Sequence, residues 1–143
     1  MNRVDDDRGA VLEQVIITPV VLLLIGIIIV GGRITFAHQE VELAAFAAAR
    51  AASIARTGAQ AAGDAQIAAQ QNLLARGLDC VGAPVVTTDV AGFVLPPGRL
   101  ASVTTQVTCV VSLDALLLPG IGGTRVITAS ATSPIDTFRE RSR

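Results

Sequence analysis

The pattern of apolar and polar positions divides the chain into a continuous apolar run, a small-residue helical stretch and a region of alternating strands. No residue between Glu13 and Arg33 carries a charge, and Val15 to Val30 is almost wholly Ile, Leu and Val. These nineteen residues, at about 1.5 Å of rise each, cover ~28 Å, close to the ~30 Å hydrocarbon core of a bilayer. Thr18, Pro19 and Gly26 are the interruptions, of a kind that membrane helices tolerate. The run predicts a transmembrane helix over 14–32, without a GxxxG spacing for dimerisation. From Arg33 to Arg56 strong helix formers follow, with Ala dominating Ala44 to Ala55. Leu43, Phe46, Arg50 and Ile54 recur at helical spacing, so one stripe is larger than the rest. So many small side chains let neighbours approach the helix backbone closely, which fits either packing between subunits or with a partner pilin, or a membrane-proximal helix lying on its own sheet; both stay open.

Gly58 and Gly63 predict a break, because each costs about 1 kcal/mol against Ala inside a helix. Asp64 then suits an N-cap, Ile67 and Leu74 share a face, and Gly77 fits a stop. Val/Thr-rich strands come next. Pro84 to Thr88 is short and belongs at an edge because of its proline. In Val103 to Leu113, residues Val103, Thr105, Val107, Cys109 and Val111 alternate with Thr104, Gln106, Thr108 and Ser112. Thr124 to Ser133 is a third strand, and Pro96-Pro97-Gly98 is a turn. The apolar, Gly-rich stretch Leu116 to Gly123 reads as a loop over the core or as a partner contact.

The expected fold class is α+β: an N-terminal transmembrane helix continuing into an extended helix, a second short helix, and a small antiparallel β-sheet. Expected divisions are a cytoplasmic head over 1–13, the membrane helix over 14–32, a membrane-proximal helical segment over 33–77, an extracytoplasmic β-rich domain over 78–138, and a charged tail over 139–143.

Composition narrows the function. Of 143 residues 51% are hydrophobic and 16% charged, with a formal net charge of −1. That excludes compositional disorder and leaves no basic surface for nucleic acid. One His, no Trp and no Tyr cannot supply a multi-histidine metal site or an aromatic base-stacking platform. His38 has no nucleophile–acid pair placed beside it and reads as a solvated residue near Glu40 and Glu42. Asp114 and Asp136 read as turn formers, and the glycine pairs Gly31-Gly32 and Gly122-Gly123 form no phosphate-binding loop. The reading is a protein that is not an enzyme and needs no cofactor.

Cys80 and Cys109 both lie downstream of the apolar run. An even pair in an exported domain suggests a disulfide, closing a loop of about thirty residues worth roughly 3–4 kcal/mol. Two unrelated buried thiols are the alternative. Arg3 and Arg8 balance Arg33 and Arg50 across the membrane segment, so charge alone does not orient it. The cysteines favour an inside N-terminus and an outside C-terminal domain. A cleaved secretory signal is the competitor, but the run exceeds a usual signal core and no A-x-A follows it.

Arg8-Gly9-Ala10, Glu13, Pro19, Leu22 to Gly26 and Gly32-Arg33, followed by Gln39 and the Ala-rich Ala44 to Ala52 with Arg50, resemble the TadE-like family. These are pseudopilins or minor pilins of tight-adherence (Flp-type) pili. The resemblance covers roughly residues 8–56 and is only general beyond them. It implies a pilin-like fold and processing by a prepilin peptidase between Gly9 and Ala10. It also implies a helix-packing role for Glu13 and Pro19, with the carboxylate pairing with a neighbouring subunit's new N-terminal amine. Such a pair can specify register while risking desolvation. Here Glu13 is fourth after Gly9, where the family usually has its Glu fifth, so cleavage and an uncleaved anchor both stay open.

The expectation is therefore a membrane-anchored minor pilin or pseudopilin, single-pass in the cell membrane, that contacts the lipid bilayer, pilins and pilus-assembly proteins. The alternatives are a membrane-tethered extracytoplasmic binding module that never enters a filament, and a secreted domain beginning near Arg33.

Overall fold

The structure is a computed structural model that describes the backbone of residues 4–112 and 123–138, and the side chains of 15–112 and 123–138. The expected loop core 116–122, Asp114 and the tail 139–143 lie outside the described residues. The order of elements is α1 (Val4–Ile54), α2 (Gly58–Ala75), β1 (Val85–Asp89), a 3-10 turn η1 (Ala91–Val94), β2 (Ala101–Ser112) and β3 (Thr124–Ile135). The layout is α+β, as expected. Two compact units divide the chain, Met1–Thr35 and Phe36–Arg143.

In the first unit Val15 to Ile29 leaves every large aliphatic side chain on the outside. The helix carrying it is long and apolar enough to cross a membrane, with a peak mean hydropathy of 2.9 and none of that window buried. Pro19 lies inside the helix. Its missing N–H would cost about 3 kcal/mol in an ordinary helix interior.

The second unit is built on a three-stranded antiparallel sheet in the order β1-β2-β3. Side chains alternate across a strand, so one parity of β2 is inward. Val103, Thr105, Val107 and Cys109 are buried, as the alternation predicts. Opposite them on β3 lie Ser133, Ala131, Ala129 and Ile127 in register. Against this face pack the Ala-rich end of α1, the Ala61, Ala65, Ala69 and Leu73 row of α2, and Phe93 of η1. The outward face is hydroxyl-rich: Thr104 meets Thr132 at 2.9 Å and Thr108 meets Thr128 at 3.1 Å between their Oγ1 atoms. Inside, Thr105 is fully buried beside its register partner Thr88, and neither Oγ1 has a hydrogen-bond partner among the described residues.

Two expectations for α2 are corrected. It begins at Gly58 with Thr57 as N-cap, whose Oγ1 accepts from the Gln60 N–H at 3.1 Å. Gly63 and Asp64 are therefore interior. Thr57-Gly58-Ala59-Gln60 carries the Ser/Thr-x-x-Glu/Gln capping signature, and it outweighs the helix cost of the two glycines. Gln60 Oε1 reaches back to the Arg56 N–H at 3.3 Å. Ile67 and Leu74 do share a face, as expected; that face is exposed, and the core side of α2 is the Ala61, Ala65, Ala69 and Leu73 row. The stop is as expected. Gly77 adopts φ 70°, and the N–H groups of Gly77 and Leu78 donate to the carbonyls of Leu74 and Leu73 at 3.1 and 3.0 Å, which satisfies the last turn.

The Pro96-Pro97-Gly98 turn is present, with Gly98 at φ 88°. The 3-10 turn η1 was not expected, and Gly92 is what permits it: a Cβ there would run into the Ser102 carbonyl oxygen.

Candidate functional site

The globular part of α1 is arranged by side-chain size. On one face Ala37, Val41, Ala44, Ala45, Ala48, Ala49 and Ala52 are buried. Methyl side chains let the helix backbone approach the layer beneath closely, so the core selects the smallest residues the helix has. The opposite face carries Phe36, Leu43, Phe46, Arg50 and Ile54, all exposed; Phe46 is 52% and Ile54 63% exposed. Of the two readings of this helix, the one in which it lies on its own sheet holds, and the contact is made by the alanine face. The core already has the alanine face, and the larger stripe points away from it.

Within the exposed face, His38, Glu42, Phe46, Arg50 and Ile54 form an unbroken row at four-residue intervals. Such i, i+4 rows are the ridges by which one helix packs into the grooves of another. From Glu42 onward charged and apolar members alternate along it. Among the described residues neither Glu42 nor Arg50 has an ion-pair partner. The one ion pair recorded there joins Arg76 Nη1 to Glu40 Oε2 at 3.1 Å, across α2 and α1. That contact is a charge approach outside hydrogen-bond angles. With 39% and 25% of the side chains exposed, it is worth less than about 1 kcal/mol.

Cys80 and Cys109 are joined, with Cα atoms 5.4 Å apart and a separation of 29 residues. The bridge ties the segment after α2 to the inward face of β2, beside the Cys80–Val111 backbone pairing and the Val81 N–H donating to Val110 O at 2.6 Å. Next to it a cleft of about 230 Å³ is lined by Leu73, Leu74, Leu78, Asp79, Ala83 and Pro84. It is smaller than the ~300–1,000 Å³ typical of small-molecule sites. Its Asp79 has no acid, base or nucleophile beside it in the lining. Among the described residues no cluster of His, Cys, Asp and Glu is arranged to hold a metal. His38 is exposed on α1, and Asp136 Oδ1 accepts from the Phe138 N–H at 3.0 Å as a turn former.

The remaining sequence-predicted residues all belong to α1. Gly9, Ala10 and Glu13 are on the α1 backbone, and their side chains lie outside the described residues. Pro19 is exposed on the membrane-length part of the helix. The contribution of His38 and Glu42 to the exposed row was missed. The signal was available as the four-residue recurrence, but a stripe picked by size alone passes over polar members.

No curated protein and no solved structure matches the chain. A family model described as TadE-like protein matches residues 9–50, from the glycine of the expected processing site to the Arg50 of the exposed row. Over that segment, the apolar helix and most of its small-residue continuation, the chain is similar to the TadE-like family.

Proposed function

We propose that this protein is a membrane-anchored structural component of a tight-adherence pilus, acting as a minor pilin or pseudopilin rather than as an enzyme. The observation that carries this reading is the exposed row on α1. A helix that buries its alanines and displays Phe46, Ile54 and Leu43 is equipped to pack against another helix, and it follows directly on a membrane-length apolar segment within the TadE-like match. In this role the N-terminus is cytoplasmic and the disulfide-bonded domain extracytoplasmic. A prepilin peptidase cuts between Gly9 and Ala10. Glu13 neutralises the exposed amine of a neighbouring subunit, and Pro19 shapes the helix for packing.

The test is the mature N-terminus, measured by mass spectrometry on protein from its native membrane, together with pilus counts for Glu13→Ala. A start at Ala10 and loss of pili support the proposal. A start at Met1 with pili unchanged makes the chain a tethered binding module instead, and a start near Arg33 makes it a secreted domain.

A further inference from the structure

Building on that reading, we infer that the partner of the exposed row is a second copy of this chain, lying parallel and displaced along the helix by eight residues. The row reads His38, Glu42, Phe46, Arg50, Ile54, so it carries one acid and one base separated by eight positions, about 12 Å of helix rise. Copies inserted in one membrane with the same topology run parallel. In register, they would set Arg50 against Arg50 and Glu42 against Glu42, an arrangement that like charge opposes. Displaced by eight residues, Arg50 of one copy faces Glu42 of the next and Ile54 faces Phe46. Along the same ridge charge then meets opposite charge and Ile54 meets Phe46, while Phe46 of the first copy meets His38 of the next.

The intramolecular structure leaves both charges available. Glu40, two positions from Glu42, is held by Arg76, whereas Glu42 and Arg50 are exposed and have no ion pair among the described residues. The displaced contact uses a different part of the row on each copy. It is therefore a head-to-tail contact, which repeats along an open assembly and does not close into a dimer.

The experiment uses the full chain in its native membrane. Two differently tagged copies are co-expressed, one with Glu42→Cys and one with Arg50→Cys, and oxidised. A mixed 42–50 product with no 50–50 product is expected. In a second arm a photo-crosslinking amino acid replaces Phe46. Arg50→Glu should lower copy-to-copy product about threefold, and Glu42→Arg combined with Arg50→Glu should restore it, as expected for a solvent-accessible pair. A 50–50 product as abundant as the 42–50 product overturns the displaced register. Crosslinks only to a different membrane protein, or none to a second copy, overturn the choice of partner. Loss of pili on Phe46→Asp without any 42–50 product refutes this inference while leaving the proposed function in place.

Discussion

The 37–54 stretch of α1 and strand β2 line the same core by opposite rules. On β2 polarity decides at all but one inward position: Val103, Val107 and Cys109 go in, Thr104, Gln106 and Thr108 stay out, and Thr105 is the polar exception inside. On α1 both faces are largely apolar, so polarity cannot decide, and size does. Alanines go in, while Phe46, Leu43 and Ile54 stay out. A strand face gains by filling space with branched side chains, because its backbone is held at sheet spacing by hydrogen bonds to its neighbours. A helix layered on that face gains by coming close, and each larger side chain would push it off. Large apolar residues on a helix therefore need not point at the nearest core. Here they mark the side of the helix turned away from the core.

Substitutions can break this contrast, and the largest effect belongs to the sheet. Ile127→Ala on β3, whose side chain is 1% exposed, should lower the unfolding free energy by about 3 kcal/mol through lost burial and an unfilled cavity. Denaturant titration of the detergent-solubilised chain would show it. Ala48→Leu adds apolar surface and should nevertheless destabilise by about 2 kcal/mol, since the helix must lift or the leucine must leave its rotamer. An unchanged midpoint would mean that the alanine face is not tightly apposed. Thr105→Val keeps the shape and removes a buried hydroxyl that lacks a partner, so stability should rise by about 1 kcal/mol. Phe46→Ala should change stability by less than about 0.5 kcal/mol, although the residue is among the largest in the chain. A loss as large as that of Ile127→Ala would show that Phe46 has a partner within its own fold.

Much of the sheet was legible beforehand because alternation with period two names the faces and polarity then chooses between them. Cys109 fell on the inward parity of β2, and its pairing with Cys80 followed from there being two cysteines in one domain. The edge position of β1 was announced by Pro84, whose carbonyl accepts from Gln66 Nε2 at 3.1 Å. The end of α2 was announced by Gly77. Its start was misplaced because Asp64 is a good cap considered singly, whereas Thr57 and Gln60 act as a pair. Phe93 was not expected in the core, since a four-residue turn is too short to show any period. Its position depends on Gly92 passing close over the backbone of β2.

Sequence alone determined the membrane-length helix, the alternating strand faces and a resemblance to the TadE-like family over roughly residues 8–56, because each rests on local pattern or on residues near one another in the chain. Only the tertiary structure decided which side of α1 faces the core. The helical period defines two faces but assigns neither, and the assignment depends on how close the helix can approach a sheet whose first strand begins 31 positions after the helix ends. That choice buries the alanines and leaves His38, Glu42, Phe46, Arg50 and Ile54 outward, as a row available to another helix.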